Sequence, residues 1–473
     1  MLFQTIEFAI FFPIVFAIYW DLSNRKLQWQ NAFLVIASFF FYGWWDWRFL
    51  GLMIFSAGVD FMTALMMDRS KDKYKKRWWL MASLLVNLGI LAFFKYYNFF
   101  VENFNSAFRF FGKAPGLHTL DIILPVGISF YTLQALSYTI DVYHRKIHPT
   151  KDIIAYFGYI SFFPQLVAGP IERAGNLLNQ FYKPRRFDAI TATDGLRRIL
   201  LGLFMKLAVA DNCGRIVDQL FKDPQAFGSL DLIIGIILFP IQVYADFAGY
   251  SEMAIGLASL MGFKLMRNFA FPFLSTDIAM LWRRWHMSLT GWFRDYVFTL
   301  LPWDKKSRWQ MTRNISAIYI LSGIWHGATW NYILWGILNA LFVGIHFMTG
   351  GTATHRRKET AIQYIIATFL LFAFSLSIAR SQDFSLTIEY YYAIWSNGQM
   401  TNGRLLLGNE WMITLSMIIL LFTFEWKSRK YNHALAFIAQ CKNRKIRWSA
   451  YLTLSLIVLL FAGSEDPFFY FQF

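Results

Sequence analysis

Charge is scarce in this chain. Only 16% of its 473 side chains are Asp, Glu, Lys or Arg, against roughly 25% in a soluble globular domain. Too few polar groups remain to face water over a surface of this size, which excludes an ordinary soluble enzyme. Cysteine is almost absent: Cys213 and Cys441 are alone, with no pair spacing, so neither a disulfide framework nor a zinc site is expected. No phosphate-cradling glycine loop, dinucleotide fingerprint or Gly-x-Ser-x-Gly elbow occurs, which removes nucleotide-driven and serine-hydrolase chemistry. No basic region precedes the apolar run Phe8–Trp20 and no small-residue cleavage site follows it, so that run is expected to be the first membrane helix rather than a signal peptide. Internal repeats and low-complexity tracts are also lacking.

What is abundant is apolar. Hydrophobic side chains make up 56% of the chain and aromatics 20%, including 51 Phe and 19 Trp. Apolar segments recur near 5–20, 31–45, 49–67, 79–100, 120–140, 153–169, 195–210, 230–262, 314–330, 332–349, 361–379, 411–425 and 449–463. A full span needs roughly 20 apolar residues. Several segments are shorter or contain Pro or Gly, so the expectation is an all-α polytopic membrane protein with about eleven spans plus re-entrant or interfacial pieces. The net charge of +16 falls in short clusters between these segments, which speaks for loop positioning and against nucleic acid. Residues 68–78, Arg25/Lys26, Arg145/Lys146, Arg356/Arg357/Lys358 and the 427–447 loop are basic; 46–48, 101–121 and 381–410 are not. That alternation places both termini outside. From 171 to 200 and from 264 to 313 the chain is too charged to lie in lipid, and in the second stretch, which includes Lys305 and Lys306, Trp282, Trp285, Trp292 and Phe293 interleave with the charge. These stretches read as amphipathic helices along the inner membrane face, in contact with membrane lipids.

Against this background a few polar side chains stand out. His326 lies in SGIWHGATW (Ser322–Trp330), between runs long enough to cross a bilayer. An imidazole in hydrocarbon is costly and marks a functional position, and it is the side chain best suited to moving a proton near neutral pH. A core histidine bonded to a neighbouring helix is the plainer alternative. Gly323 and Gly327 beside it permit close helix approach or entry of a substrate chain. His286, in WRRWHMSL (Trp282–Leu289), either assists proton transfer or is one more interface residue. Whether two histidines 40 positions apart meet is left open. Asp246, beside Tyr244, needs a partner: a histidine or arginine it orients, or a second helix it holds. Lys95 and Asp60 fit packing or snorkelling. His144 and His148, four apart before Pro149, lack a third ligand and read as a solvated loop rather than a metal site.

Five stretches together resemble the membrane-bound O-acyltransferase family, in its bacterial branch of polysaccharide O-acetylation subunits: LPVGISFY (Leu124–Tyr131), YISFFPQLVAGPI (Tyr159–Ile171), YADFAGYSEMAIG (Tyr244–Gly256) and the two histidine motifs. The closing FFYFQF (Phe468–Phe473) is similar to that branch as well. Two departures occur: Phe298–Asp304 replaces a Pro-Leu-Gly-Gly turn, and Asn339-Ala340 replaces a histidine-glycine pair.

The resemblance implies a single domain, with N-terminal helices 1–120, a catalytic core near 121–350 and C-terminal helices 351–473. It implies a ring of about eleven helices around a thin centre, in the bacterial inner membrane. His326 would be the catalytic base and His286 the second histidine. Arg283, Arg284 and Arg294 would hold the phosphates of a cytoplasmic acyl thioester, acetyl-CoA foremost, with no permanently bound cofactor. Trp285, Trp325, Trp330 and Asp246 would complete the binding residues. The acyl group would leave outside to an alginate-like exopolysaccharide with the help of an extracytoplasmic acetyltransferase. Peptidoglycan O-acetylation or D-alanyl transfer to teichoic acid keeps the mechanism and changes the acceptor. A proton-coupled transporter and a structural scaffold are the alternatives from other classes.

Overall fold

The computed structural model describes residues 1–112, 116–302, 304, 307–349, 361–381, 383–396, 409–463 and 468. The basic clusters at Lys305/Lys306 and Arg356/Arg357/Lys358, part of the 381–410 loop and the end of the terminal aromatic run lie outside these residues. Every regular element described is helical. Lipid leaves no water to satisfy backbone groups, and helices satisfy their own.

Two compact units are formed. The first comprises Met1–Asp188 with Met261–Leu265. It contains α1 (Ile6–Asp21), α2 (Leu27–Gly43), α3 (Trp47–Arg69), α4 (Lys73–Leu91), α5 (Tyr97–Phe110), α6 (Ile128–Tyr143), α7 (Ile153–Ser161) and α8 (Phe163–Leu166). A π-turn over Ala92–Tyr96 joins α4 to α5 and carries Lys95. Asp60 is fully buried on α3 and accepts from Ser83 Oγ at 2.6 Å and Asn87 Nδ2 at 2.9 Å, so it packs helices together. His144 and His148 are exposed, and no metal-holding cluster occurs among the described residues.

The second unit comprises Ala189–Leu260 and Met266–Phe473. Its helices are α9 (Ala189–Leu203), α10 (Asp211–Lys222), α11 (Ser229–Leu260), α12 (Ile278–Arg284), α13 (Met287–Tyr296), α14 (Arg308–His326), α15 (Trp330–Met348), α16 (Ile362–Ile378), α17 (Phe384–Ser396), α18 (Asn409–Lys427), α19 (Ala436–Ala439) and α20 (Arg444–Leu460). α11 is its spine: 32 residues, nearly all of them buried from Leu238 onward. Gly202 and Gly249 let α9 and α11 approach closely, since a Cβ on Gly249 would lie 2.8 Å from the Gly202 carbonyl.

Among the described residues five helices are long and apolar enough to cross a membrane: Ile6–Asn24, Trp47–Arg69, Lys73–Phe110, Ser229–Leu260 and Trp330–Met348. Ile362–Ile378 is apolar but shorter. The chain is therefore a multi-pass membrane protein. Fewer helices than the eleven expected spans meet the length and composition of a full crossing, because apolar runs are cut short by charged ends. α14, for example, opens on Arg308 and Arg313.

Candidate active site

The 264–313 stretch, expected as amphipathic helices, forms short ones around the first motif histidine. Two short helices, α12 and α13, are separated by Trp285 and His286. Asp277 caps α12 by accepting from the Met280 N–H at 2.7 Å, as a first-turn acceptor does. The chain then turns on His286, whose φ is +42°. A side chain other than glycine in this left-handed region costs about 1–3 kcal/mol and persists only where surroundings enforce it. Here Asn268 enforces it. Its carbonyl accepts the Met287 N–H at 2.8 Å, its side-chain oxygen accepts Ser288 Oγ at 2.9 Å, and its amide donates to Ser251 Oγ at 3.1 Å. Arg284 closes the loop, its carbonyl accepting from the Ala270 N–H at 2.9 Å. His286 is thereby held 2% exposed, a buried residue rather than an interfacial one.

His326 arrives from the other direction. Ser307 caps α14, accepting from the Gln310 N–H at 3.3 Å, and the helix ends at His326 because Gly327 is extended (φ −164°, ψ 152°). α15 returns antiparallel from Trp330. The two imidazole centroids lie 6.3 Å apart. Aromatic rings surround both. Trp325 lies 4.9 Å from His326 and 6.1 Å from His286. Trp335 meets His326 edge-on at 5.1 Å and Phe247 meets His286 at 4.7 Å.

Two cavities reach this pair. The larger encloses about 1130 Å³ including its open mouth. It runs along one face of α14 through Met311, Ile315, Tyr319 and Ser322 to His326, 15 residues and hence about 22 Å of helix. Arg283 and Arg294 are its cations. The smaller, about 530 Å³ likewise including its open mouth, is walled by Phe239, Val243 and Phe247 of α11, Tyr332 and Trp335 of α15, and Leu376 and Ala379. Among the described residues their walls share only Trp285, His286 and His326. On α15 the smaller cavity takes Tyr332 and Trp335 while the larger takes Val343 and Phe347. The cavities therefore lie toward opposite ends of that helix, with the histidines between them. Among the described residues no carboxylate lines either wall.

The other expected site residues divide. Trp285 faces both cavities, and Arg283 and Arg294 face the larger. Trp325 is buried behind the histidines. Arg284 folds back onto the Leu274 carbonyl at 3.2 Å. Trp330 is 59% exposed and lines neither cavity. Asp246 pairs with Lys206 at 2.9 Å, beside Asp211 at 2.8 Å from the same ammonium. Tyr332, Trp335, Tyr319 and Asn268 escaped the sequence reading, since aromatics and amides at such positions look like packing.

The pattern of the membrane-bound O-acyltransferase family matches residues 145–381, which contain both histidines and both cavities. Over 98% of both chains the protein is 32% identical to a Pseudomonas putida protein named probable alginate O-acetylase. It is 34% identical to the Pseudomonas aeruginosa protein of that name, over 82% of this chain and 74% of the relative. A Helicobacter pylori peptidoglycan O-acetyltransferase is 27% identical over 100% of this chain and 98% of its own length. Family pattern and full-length similarity agree: the chain belongs to the membrane-bound O-acyltransferases and is an acyltransferase of the membrane.

Proposed function

We propose that this protein carries an acetyl group from cytoplasmic acetyl-CoA to an extracytoplasmic polysaccharide, across a septum formed by His286 and His326. The observation that carries this reading is the pair of cavities whose walls meet only at those rings and Trp285. The larger cavity extends along α14 to Met311, near the helix start, where Arg308 and Arg313 follow Lys305 and Lys306 in sequence. Clustered basic residues favour the cytoplasmic side. A CoA thioester is charged and cannot cross a bilayer, but a slim acylated arm fits a channel of this length. Arg283 and Arg294 would meet its phosphates, since guanidinium pairs well with phosphate oxygens.

In the reaction, an acceptor hydroxyl entering the smaller cavity gives its proton to His326 as its oxygen attacks the thioester carbonyl. The C–O bond forms, the C–S bond breaks, and His326 returns the proton to the departing thiolate. His286, rigid in its strained turn, positions the reacting group. Placement in the bacterial inner membrane, an eleven-helix ring and a partner acetyltransferase that finishes transfer outside belong to the same reading.

His326→Ala is expected to lower acetyl esters on the surface polymer by roughly 10²- to 10⁴-fold, the range of a lost general base, at unchanged protein level. Retained acetylation would remove His326 from the chemistry. A second reading, peptidoglycan as acceptor, is favoured by the full-length similarity to the Helicobacter pylori enzyme. Assaying both polymers in cells lacking the protein separates the two. D-alanyl transfer would instead require an aminoacyl donor on a carrier protein.

A further inference from the structure

The two glycines beside His326 serve one residue, Tyr332. Gly327 is extended at φ −164°, a conformation any residue adopts, so its backbone does not call for glycine. Its surroundings do: a Cβ there would overlap the ring of Tyr332. One turn earlier, a Cβ on Gly323 would overlap the Tyr332 carbonyl oxygen. Across the hairpin, a Cβ on Gly336 would lie 2.7 Å from the Tyr319 carbonyl. The space beside His326 that glycine leaves is therefore filled by Tyr332 rather than by a substrate chain. The Tyr332 ring, 9% exposed, lies nearly parallel to the imidazole, at 17° and 6.4 Å between centroids. It forms part of the smaller cavity and is absent from the larger.

We propose that Tyr332, seated in the notch left by Gly323 and Gly327, is a positioning residue that fixes the plane of the His326 imidazole where the two cavities meet. The proposal rests on His326 being the base. A base that must serve a thioester on one side and a hydroxyl on the other tolerates little rotation. Stacking against a wedged aromatic ring restricts rotation without adding a charge or a competing carboxylate. Small misplacements at a reacting centre cost up to about a hundredfold in rate.

The test uses the full-length protein in native membranes, with thiol release from acetyl-CoA and acetyl ester formation on the surface polymer as readouts. Tyr332→Phe keeps the ring and is expected to stay within about twofold of the parent, whereas Tyr332→Ala is expected to lose roughly ten- to a hundredfold in kcat with KM for acetyl-CoA little changed. Gly327→Ala should lose a similar factor. In Gly327→Ala/Tyr332→Ala the losses should not multiply, because the ring that the new methyl strikes is gone. Full kcat in Tyr332→Ala, a loss confined to KM, or multiplicative losses in the double variant would overturn the proposal. If Gly327→Ala fails to accumulate, the Tyr332→Ala and Tyr332→Phe comparison decides alone. His326→Ala is measured alongside: activity surviving there defeats the base assignment, whereas inactive His326→Ala with normal Tyr332→Ala defeats only the positioning role.

Discussion

His286 occupies a backbone region that histidine enters only when held there, and four side-chain and main-chain contacts from Asn268 do the holding. Asn268→Ala removes the three side-chain contacts. It is expected to lower acetyl transfer by roughly tenfold or more through loss of position, measured as kcat in membranes with equal protein. Arg294→Ala should act differently. Its side chain is 73% exposed, with Asp295 2.9 Å from its Nε, and lines the larger cavity, so the expected change is a raised KM for acetyl-CoA with kcat retained, the pattern of lost uniform binding. The two histidines were visible in the sequence because imidazole in an apolar run is expensive and therefore conspicuous. Asn268 was not visible. An amide that bonds residues 17 and 20 positions away leaves no local periodicity, and in sequence it stands among unremarkable loop residues.

The elements around the site are joined by polar links that hydrophobic patterning does not reveal. The Lys206 ammonium, 2% exposed, lies in a π-turn (Phe204–Ala210) between Asp211 and Asp246, with the Phe468 ring 4.7 Å from it. Asp246 was recognised as needing a partner; that the partner was Lys206, 40 residues earlier, could not be read from spacing. Lys206→Ala would leave two carboxylates buried without their cation, a loss of about 3–5 kcal/mol. The expected result is a sharp fall in the thermal stability of the purified protein. Lys206→Met/Asp211→Asn/Asp246→Asn should recover much of it, because the uncompensated charge is removed with the pair. The α12–α13 segment shows what charge patterning leaves out. Arg283, Arg284 and Arg294 drew attention to the charged side of these helices, whereas Leu281, Trp282, Trp285, His286, Leu289 and Trp292 on them are all buried. Arginine reaches outward on a long stem and so marks where its head goes, not where its helix lies.

For the whole molecule, composition alone established a multi-pass helical membrane protein, and motif similarity established its family. The number of crossings was harder to read. Apolar runs lose their contrast where helices start on arginine, contain Pro13 or Pro240, or carry buried polar residues. The central claim concerns access: His326 is reached from the cytoplasm through the larger cavity and from outside through the smaller. Ile318 lines the first and Leu376 the second. In a Cys213→Ser/Cys441→Ser background, Ile318→Cys and Leu376→Cys can each be probed in sealed vesicles of known orientation with a small membrane-impermeant thiol reagent. The account predicts that Ile318→Cys reacts only from the cytoplasmic face, with protection by acetyl-CoA, and Leu376→Cys only from the opposite face. Labelling of both from the same face, or of neither from any face, would contradict it.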